Sequence, residues 1–263
     1  MTEARPLALV TGASSGIGFE LARQFAEHGF DLLVNAEDPT IDTAAARLRS
    51  AGTAVSGFQA DLRTEAGVDA LWDAVQATGR PLAAAALNAG VGKGGPFVEN
   101  PLEDELSIID LNVRSTVVLA KHVLRDMAAR GEGRVLFTSS IASTMPGPYQ
   151  AVYNASKSFV QSFAEALATE LRDTGVTVTS LMPGPTDTEF FERGDLMDTT
   201  IGQGPKDDPA QVAKQGFEAL MEGETKVVGG SVMSKAQAAV NAVLPDRLKA
   251  AGHAKLAEPG SGS

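Results

Sequence analysis

Four polar side chains in the middle of the sequence could together carry out proton transfer. Tyr153 and Lys157 are four residues apart, which places both on one face of a helix. A lysine ammonium near the phenol would favour the phenolate and bring the tyrosine pKa towards working pH. Such a tyrosine can give a proton to a nascent alkoxide or take one from an alcohol. Ser140, at the end of an apolar run, could hydrogen-bond the same substrate oxygen, and Asn112 is the fourth candidate because an amide in a helix interior usually has a use.

A glycine-rich turn follows the first apolar run and could bind a phosphate group. The segment TGASSGIG at 11–18 places Gly12, Gly16 and Gly18 between a strand and a helix. The first glycine permits a tight turn, the second lets backbone approach a pyrophosphate, and the third allows close helix packing. Free N–H groups at the helix N-terminus add positive potential. The pattern predicts a dinucleotide site, with a tight turn that binds nothing as the alternative.

Composition excludes several classes of function. The 263 residues include 22 Lys and Arg against 33 Asp and Glu, a net charge of −11, which disfavours nucleic-acid binding. With no cysteine, disulfide scaffolds, thiolate zinc sites and iron–sulfur clusters are excluded, and the three separated histidines have no metal-ligand spacing, so we expect no metal. No apolar run reaches the length of a membrane helix. We therefore expect a soluble, cytoplasmic protein.

Short apolar runs alternate with longer segments of helical period, which is typical of an α/β fold with a parallel sheet. Seven strands are predicted, at 7–10, 31–35, 55–59, 83–87, 134–139, 176–181 and 226–228. Helices should begin at Asn100-Pro101 and Asp208-Pro209, and Gly175 should end the helix that carries Tyr153. The chain is predicted to be one domain over 1–257, with a lid loop at about 183–207, a helical extension at about 234–256 and a disordered tail at 258–263.

Six motifs in order then identify a resemblance. They are TGxxxGxG at 11–18, NAG at 88–90, Asn112, Ser140, YxxxK at 153–157 and Pro-Gly at 183–184. With them the chain resembles the short-chain dehydrogenase/reductase family from residue 7 to 188. The resemblance implies a Rossmann-type, doubly wound, seven-stranded sheet of order 3-2-1-4-5-6-7. It also implies an NAD- or NADP-dependent oxidoreductase that interconverts a ketone or aldehyde and an alcohol by hydride transfer.

The resemblance also assigns roles to individual residues. Asn112, Ser140, Tyr153 and Lys157 would be the catalytic set, in which Lys157 also holds the nicotinamide ribose and Asn112 anchors a water. The expected cofactor contacts are Gly12, Ser14, Ser15, Gly16, Ile17, Gly18, Glu37, Asp61, Leu62, Asn88, Ala89, Gly90, Tyr153, Lys157, Pro183, Gly184, Thr186 and Thr188. Asp61 has an alternative interpretation as an acidic residue at a helix N-terminus. The expected substrate contacts are Ser140, Met145, Gln150, Tyr153 and Phe190.

The choice between NAD and NADP depends on the end of the second strand. Ala36 stands where the family usually has its aspartate, which is a departure from the pattern. No Arg or Lys occurs between residues 27 and 47, and Glu37 and Asp38 would repel a 2′-phosphate. We therefore expect NAD, with NADP as the alternative.

The expected substrate is a neutral or apolar carbonyl compound or alcohol, because the predicted pocket walls are mostly apolar. Lys93 could receive an anionic group or could be a solvated loop charge. Gly194 and Gly202 could let the lid close over the cofactor. A catalytically silent dinucleotide sensor or scaffold is the alternative function. By resemblance we expect a homodimer or homotetramer, formed through the helices after strands four and five, while the role of the helical extension stays open.

Overall fold

Seven parallel strands form a single sheet in the computed structural model, which describes residues 5–49 and 52–262. Their order is β3-β2-β1-β4-β5-β6-β7, as expected. The strands are β1 (Leu7–Thr11), β2 (Asp31–Ala36), β3 (Val55–Gln59), β4 (Leu82–Leu87), β5 (Gly133–Thr138), β6 (Val176–Pro183) and β7 (Lys226–Gly229). All seven predicted strands are confirmed, with ends that differ by at most two residues.

Helices cover both faces of the sheet. They are α1 (Gly16–Glu27), α2 (Thr40–Leu48), α3 (Glu65–Ala77), α4 (Leu102–Ile108), α5 (Thr116–Arg130), α6 (Ala151–Glu170), α7 (Phe190–Arg193), α8 (Thr200–Gln203), α9 (Pro209–Glu222), α10 (Val232–Val243) and α11 (Asp246–Ala257). A π-helical segment, Ile109–Ser115, joins α4 to α5, and a 3₁₀ turn, Ile141–Thr144, follows β5.

The core divides into two layers because strand side chains alternate between the faces. In β1, Ala8 and Val10 pack into a cluster that also contains Phe25 and Phe217. Leu9 joins the opposite cluster, which includes side chains of α3, α5 and α6. Burial on both faces explains why the central strands β1 and β4 are nearly continuous apolar runs. The sheet thereby holds the carboxyl ends of its strands in fixed positions relative to one another.

Three helix boundaries show what local sequence signals do and do not determine. Asp208 is the predicted N-cap of α9, and its carboxylate accepts a hydrogen bond from the Ala210 N–H at 2.9 Å. Asn100 was expected to cap the next helix at Pro101, but α4 begins at Leu102 and the Asn100 amide instead donates to the Glu105 carboxylate. Gly175 does not cap α6, which ends at Glu170. Gly175 is needed in the turn before β6, where its φ is +76° and a Cβ would lie 2.1 Å from a backbone oxygen.

The segment 183–207 contains more structure than its sequence indicated. Residue 183 belongs to β6, two short helices follow, and Thr186 and Asp207 form a parallel bridge that closes the segment. We keep the name lid for residues 184–207.

The C-terminal end also differs from expectation. Ser261, in the tail predicted to be disordered, accepts a hydrogen bond from the Thr200 N–H at 3.0 Å, and the Gly260 N–H donates to Asp198. Residues 258–262 therefore lie against the lid, because polar groups near the start of α8 provide partners for them. Among the described residues, no helix is long and apolar enough to cross a membrane.

Candidate active site

A cavity of about 580 Å³ opens at the carboxyl ends of the strands, where the strand order reverses between β1 and β4. Side chains connect the strand ends at this point. The Thr11 hydroxyl accepts hydrogen bonds from the N–H groups of Asn88 and Ala89, each at 3.0 Å. The Asn88 amide oxygen accepts from the Thr138 hydroxyl at 2.9 Å. The floor of the cavity is thereby rigid across three strands.

The glycine turn forms one end of the cavity and has the shape that a dinucleotide needs. Gly16 has φ +54°, and a Cβ there would lie 2.9 Å from the Thr188 side chain. A Cβ on Gly18 would lie 2.0 Å from the Gly12 carbonyl oxygen. The α1 N-cap, Ser15, makes no side-chain capping hydrogen bond, so N–H groups of the first turn face the cavity without that partner. These residues fit a pyrophosphate bound at a helix N-terminus.

The catalytic candidates lie at the other end. Tyr153 and Lys157 lie on α6, and the Lys157 ammonium is 6.0 Å from the centre of the Tyr153 ring. The ammonium donates to the Thr138 carbonyl at 2.9 Å, which anchors it to the end of β5. Ser140 begins the turn after β5, where its hydroxyl accepts from the Ala142 N–H at 3.1 Å. The three groups thus come from two adjacent elements.

Asn112 lies in the π-helical segment and is buried behind the cavity. Its amide exchanges two hydrogen bonds of 2.9 Å with the backbone of Val91, and also donates to the Ser156 hydroxyl. A Cβ on Gly90 would be 3.2 Å from the Asn112 oxygen and 3.0 Å from the Lys157 ammonium, so only glycine leaves room between them. Asn112 therefore fixes the chain after β4 beside Lys157.

Burial shifts the pKa values of the central pair in opposite directions. It raises the pKa of Tyr153 to about 12, and a hydrogen bond with Ser140 acts against this rise. It lowers the pKa of Lys157 to about 8. The tyrosine shift is opposite to the direction that the sequence suggested. The physical reason is that the ammonium points to the Thr138 carbonyl, so it offsets little of the desolvation of the phenol.

Basic residues from distant parts of the chain reach the end of β2. The Arg63 guanidinium forms an ion pair with the Glu37 carboxylate and also binds Asp61, with Nε 2.9 Å from the carboxylate. Arg193, on α7, lies 4.0 Å from the Glu37 carboxylate. Sequence reasoning missed both, because it examined only the residues near 37 along the chain. Asp61 lines the cavity beside Leu62 and also accepts from the Arg63 N–H, so both of its expected roles are compatible with its position.

The end of the cavity that holds Tyr153 has a wall that sequence reasoning did not assign. It is lined by Gln237 and Asn241 of α10, by Leu248 and His253 of α11, and by Leu244 between the two helices. The Asn241 amide donates to the Thr144 hydroxyl at 3.3 Å, and Lys249 donates to the Thr144 carbonyl at 2.9 Å. The sequence analysis expected a helical extension at about 234–256 and left its role open.

The lid closes the remaining side. The Phe190 ring lies 5.0 Å from the Tyr153 ring, centre to centre, and a Cβ on Gly92 would collide with it. Lys93 forms ion pairs with Asp195 at 2.6 Å and Asp104 at 2.9 Å. Lys93 therefore connects the loop after β4 to the lid, with its ammonium paired to two aspartates.

The structure brings nearly all predicted site residues together. Every expected cofactor and substrate contact lines the one cavity, as do Ser140, Tyr153 and Lys157. Asn112 is the exception, since it lies behind Val91 and Ser156.

Known proteins share this sequence and architecture. A sequence model of the short chain dehydrogenase family matches residues 6–197. The oxidoreductase UcpA of Salmonella typhimurium is 31% identical over 214 residues, which cover 81% of this chain and 79% of that protein. A short-chain dehydrogenase from Sphingobium yanoikuyae in complex with NADPH has a TM-score of 0.79 at 30% identity, over 85% of this chain and 87% of that one. A short-chain dehydrogenase/reductase from Burkholderia phymatum in complex with NAD has a TM-score of 0.78 at 26% identity, over 85% and 88%. The chain belongs to the short-chain dehydrogenase family and is an oxidoreductase that uses a nicotinamide cofactor.

Proposed function

We propose that Tyr153 is the general acid and base that interconverts a ketone or aldehyde and an alcohol. The observation that supports this most directly is the placement of Tyr153, Ser140 and Lys157 in the same cavity as the glycine turn. A bound nicotinamide supplies or accepts the hydride. The experiment is a panel of ketones, aldehydes and alcohols, each followed by nicotinamide absorbance with NAD(H) and with NADP(H). Turnover of no member with either cofactor would contradict the proposal.

Each of the four side chains has its own role in the proposed reaction. A Tyr153 phenol with a pKa of about 12 is protonated at neutral pH, so it is ready to donate a proton to an alkoxide oxygen. The Ser140 hydroxyl hydrogen-bonds the same oxygen and stabilises its developing charge. Lys157, whose ammonium donates to the Thr138 carbonyl, would hold the hydroxyl groups of the nicotinamide ribose when the cofactor is bound, as the family resemblance implies. Asn112 holds the loop after β4 in place and, by family resemblance, anchors a water that connects Lys157 to solvent.

We propose NAD(H) as the preferred cofactor. Glu37, Asp38 and Asp61 outnumber the two guanidinium groups at the end of β2, which disfavours the additional charge of a 2′-phosphate. The adenosine ribose of NAD(H) has no 2′-phosphate, so its free hydroxyl groups can donate hydrogen bonds to carboxylates. A Michaelis constant several-fold lower for NADPH than for NADH would contradict this preference.

We propose an apolar or neutral substrate. Met145 and Phe190 line the expected position of the substrate, and Leu244 and Leu248 add apolar surface on the C-terminal wall. Because Lys93 is neutralised by two aspartates, it offers no charge to an anionic group. Within the panel, uncharged carbonyl compounds should therefore give higher kcat/KM than carboxylates of the same length.

We propose that two copies of the chain associate through α4, the π-helical segment and α6. Phe97, Leu102, Ile109 and Phe159 are exposed there, and all of them except Leu102 line an apolar groove. Such a concentration of apolar surface favours burial. Ile109→Glu should shift the mass measured by light scattering to that of a monomer. Val243→Glu, at another exposed apolar position, is the matched control and should not change the mass.

A further inference from the structure

Gln150 is a buried polar side chain that lines the active-site cavity. It directly precedes α6, three residues before Tyr153, and only 4% of its surface is exposed. Within the described part of the chain, its side-chain amide makes no hydrogen bond, neither as a cap of α6 nor to another element. A buried amide without a partner is costly. The partner of this amide must therefore come from the cavity.

His253, on α11, lines the same cavity and is 6% exposed. Its Nδ1 lies 3.1 Å from the carbonyl oxygen of Pro148. Because a carbonyl oxygen only accepts, Nδ1 carries the hydrogen, and Nε2 is left as a hydrogen-bond acceptor. Burial lowers the pKa of His253, which keeps the ring neutral at pH 7. Among the residues that the structure describes, Nε2 has no partner.

One short turn, residues 147–150, positions both side chains. The Gln150 N–H donates to the Gly147 carbonyl at 3.0 Å, and the Pro148 carbonyl accepts from His253. Tyr149 has φ +63°, in the left-handed region that side chains other than glycine rarely adopt. Such strained residues are typical of functional sites. The turn therefore fixes α11 and the start of α6 beside each other.

Other polar side chains of the C-terminal wall have a structural role. Asn241 and Lys249 each donate to Thr144, in the 3₁₀ turn after β5. These bonds hold the wall in place and leave Gln150 and His253 to meet a ligand. His253 also lies outside residues 6–197, so the match to the family implies no role for it.

We infer, on the basis of the proposed function, that Gln150 and His253 form a subsite that binds a hydroxyl group of the carbonyl substrate. The ligand group must donate a hydrogen bond to Nε2 of His253, which a hydroxyl does and which an ether, a second carbonyl or a carboxylate does not. The Gln150 amide donates to the oxygen of the same hydroxyl. The substrate class is therefore a neutral hydroxyketone or hydroxyaldehyde, or the corresponding diol in the oxidative direction.

The test compares kcat/KM for three matched series of methyl ketones, with whichever nicotinamide cofactor supports turnover. The first series carries a terminal hydroxyl, the second has a methyl group in its place, and the third has a methoxy group, which accepts but does not donate. The wild-type protein should favour the hydroxyl series over both others by about 10- to 100-fold, because the analogues leave the buried acceptor unpaired. Equal kcat/KM for the three series would overturn the inference.

Variants of the two residues separate specificity from folding. His253→Asn keeps an N–H in the place of Nδ1 and has no acceptor in the place of Nε2, so the preference for the hydroxyl series should fall about 10-fold. Gln150→Met, which keeps the length of the side chain, should lower it in the same way. His253→Gln places an amide near the position of Nε2 and should retain most of the preference. In all three variants, kcat/KM for the methyl series should stay near the wild-type value. A loss that is equal for all three series would show a purely structural role and overturn the inference.

Tyr149→Phe is the matched control from the same turn. It removes the hydroxyl that lies 3.4 Å from the Glu258 carboxylate and leaves both side chains of the subsite unchanged. The preference for the hydroxyl series should be that of the wild-type protein. A preference reduced as far as in His253→Asn would contradict the subsite, since packing of the turn against the C-terminal end would then be its cause.

Failure of the proposed function would give a different result. In that case the wild-type protein would reduce no ketone of any series. If it reduces all three series equally well, only the hydroxyl subsite is contradicted.

Discussion

At the scale of single residues, burial decides the charge of Tyr153 and Lys157. The ammonium of Lys157 is nearly removed from water and keeps one hydrogen bond, to the Thr138 carbonyl. Its pKa of about 8 means that the folded chain holds this proton less tightly than the unfolded chain, in which an exposed lysine titrates near its ordinary value of 10.5. A residue kept in such an unfavourable state is typical of a functional site.

This depressed pKa predicts how stability depends on pH. Between pH 8 and 10.5 the unfolded chain binds more protons at Lys157 than the folded chain, so this residue makes the free energy of unfolding rise with pH. Relative to Lys157→Met, the wild-type protein should therefore gain about 2 kcal/mol between pH 7 and pH 9.5. Urea unfolding of both proteins at the two pH values measures it. A difference that does not vary with pH would show that Lys157 is not desolvated.

At the scale of elements, the lid is held at both ends by polar contacts. Lys93 connects it to the loop after β4, and the Gly94 N–H donates to the Gly194 carbonyl at 2.7 Å. Arg193 connects it to the end of β2. The lid therefore spans the crevice from the loop after β4 to the end of β2, so we expect a ligand bound in the crevice to order it.

Lys93→Met should loosen the lid. Losing the ion pairs with Asp195 and Asp104 should speed cleavage at Glu189 and Glu192 by a glutamate-specific protease several-fold, since the loop after β4 then keeps its backbone hydrogen bond to the lid but loses the ion pair with Asp195. Lys121→Met, on the exposed side of α5, is the control and should cleave at the wild-type rate. Equal rates for the two variants would show that Lys93 does not hold the lid.

Bound cofactor should protect the same segment. Because Thr188 touches the glycine turn and Arg193 reaches Glu37, NADH in the crevice has lid residues on one side of it. Cleavage within 189–206 should slow when NADH is added. Unchanged cleavage at saturating NADH would contradict a lid ordered by cofactor.

The secondary-structure elements could be predicted from the sequence better than the contacts between them. Strand positions follow from apolar runs, and the motif residues follow from family spacing, because both are properties of neighbouring residues. The π-helical turn at Asn112 was not predicted, since no residue type signals it. The approach of Arg63 and Arg193 to Glu37 was missed because these residues are 26 and 156 positions away along the chain.

At the scale of the whole molecule, one buried carboxylate joins the lid to the C-terminal helices. Asp207 accepts hydrogen bonds from the Ser231 N–H at 2.9 Å and the Ser234 hydroxyl at 2.5 Å, at the start of α10. Its backbone also pairs with Thr186, close to the predicted cofactor contacts. The C-terminal wall of the cavity thus depends on Asp207. Its position in a loop before a helix gives no indication of this role in the sequence.

Asp207→Ala should destabilise the protein by about 3 kcal/mol, because it leaves the half-buried Ser231 N–H and the buried Ser234 hydroxyl without this acceptor. Asp208→Ala removes only the N-cap of α9 and should cost about 1 kcal/mol. Urea unfolding of the two neighbouring variants compares them directly. A smaller loss for Asp207 than for Asp208 would show that the junction with α10 contributes little.

The most direct test of the central claim uses the two tyrosines of the chain. Tyr153→Phe keeps the ring and removes the proton, so NADH affinity measured by fluorescence should be unchanged. With the best substrate of the panel, kcat should fall by about 10²- to 10⁴-fold. Tyr149→Phe, which removes the hydroxyl that faces Glu258, should leave kcat at the wild-type value. Wild-type turnover in Tyr153→Phe would contradict the role of Tyr153 as acid and base.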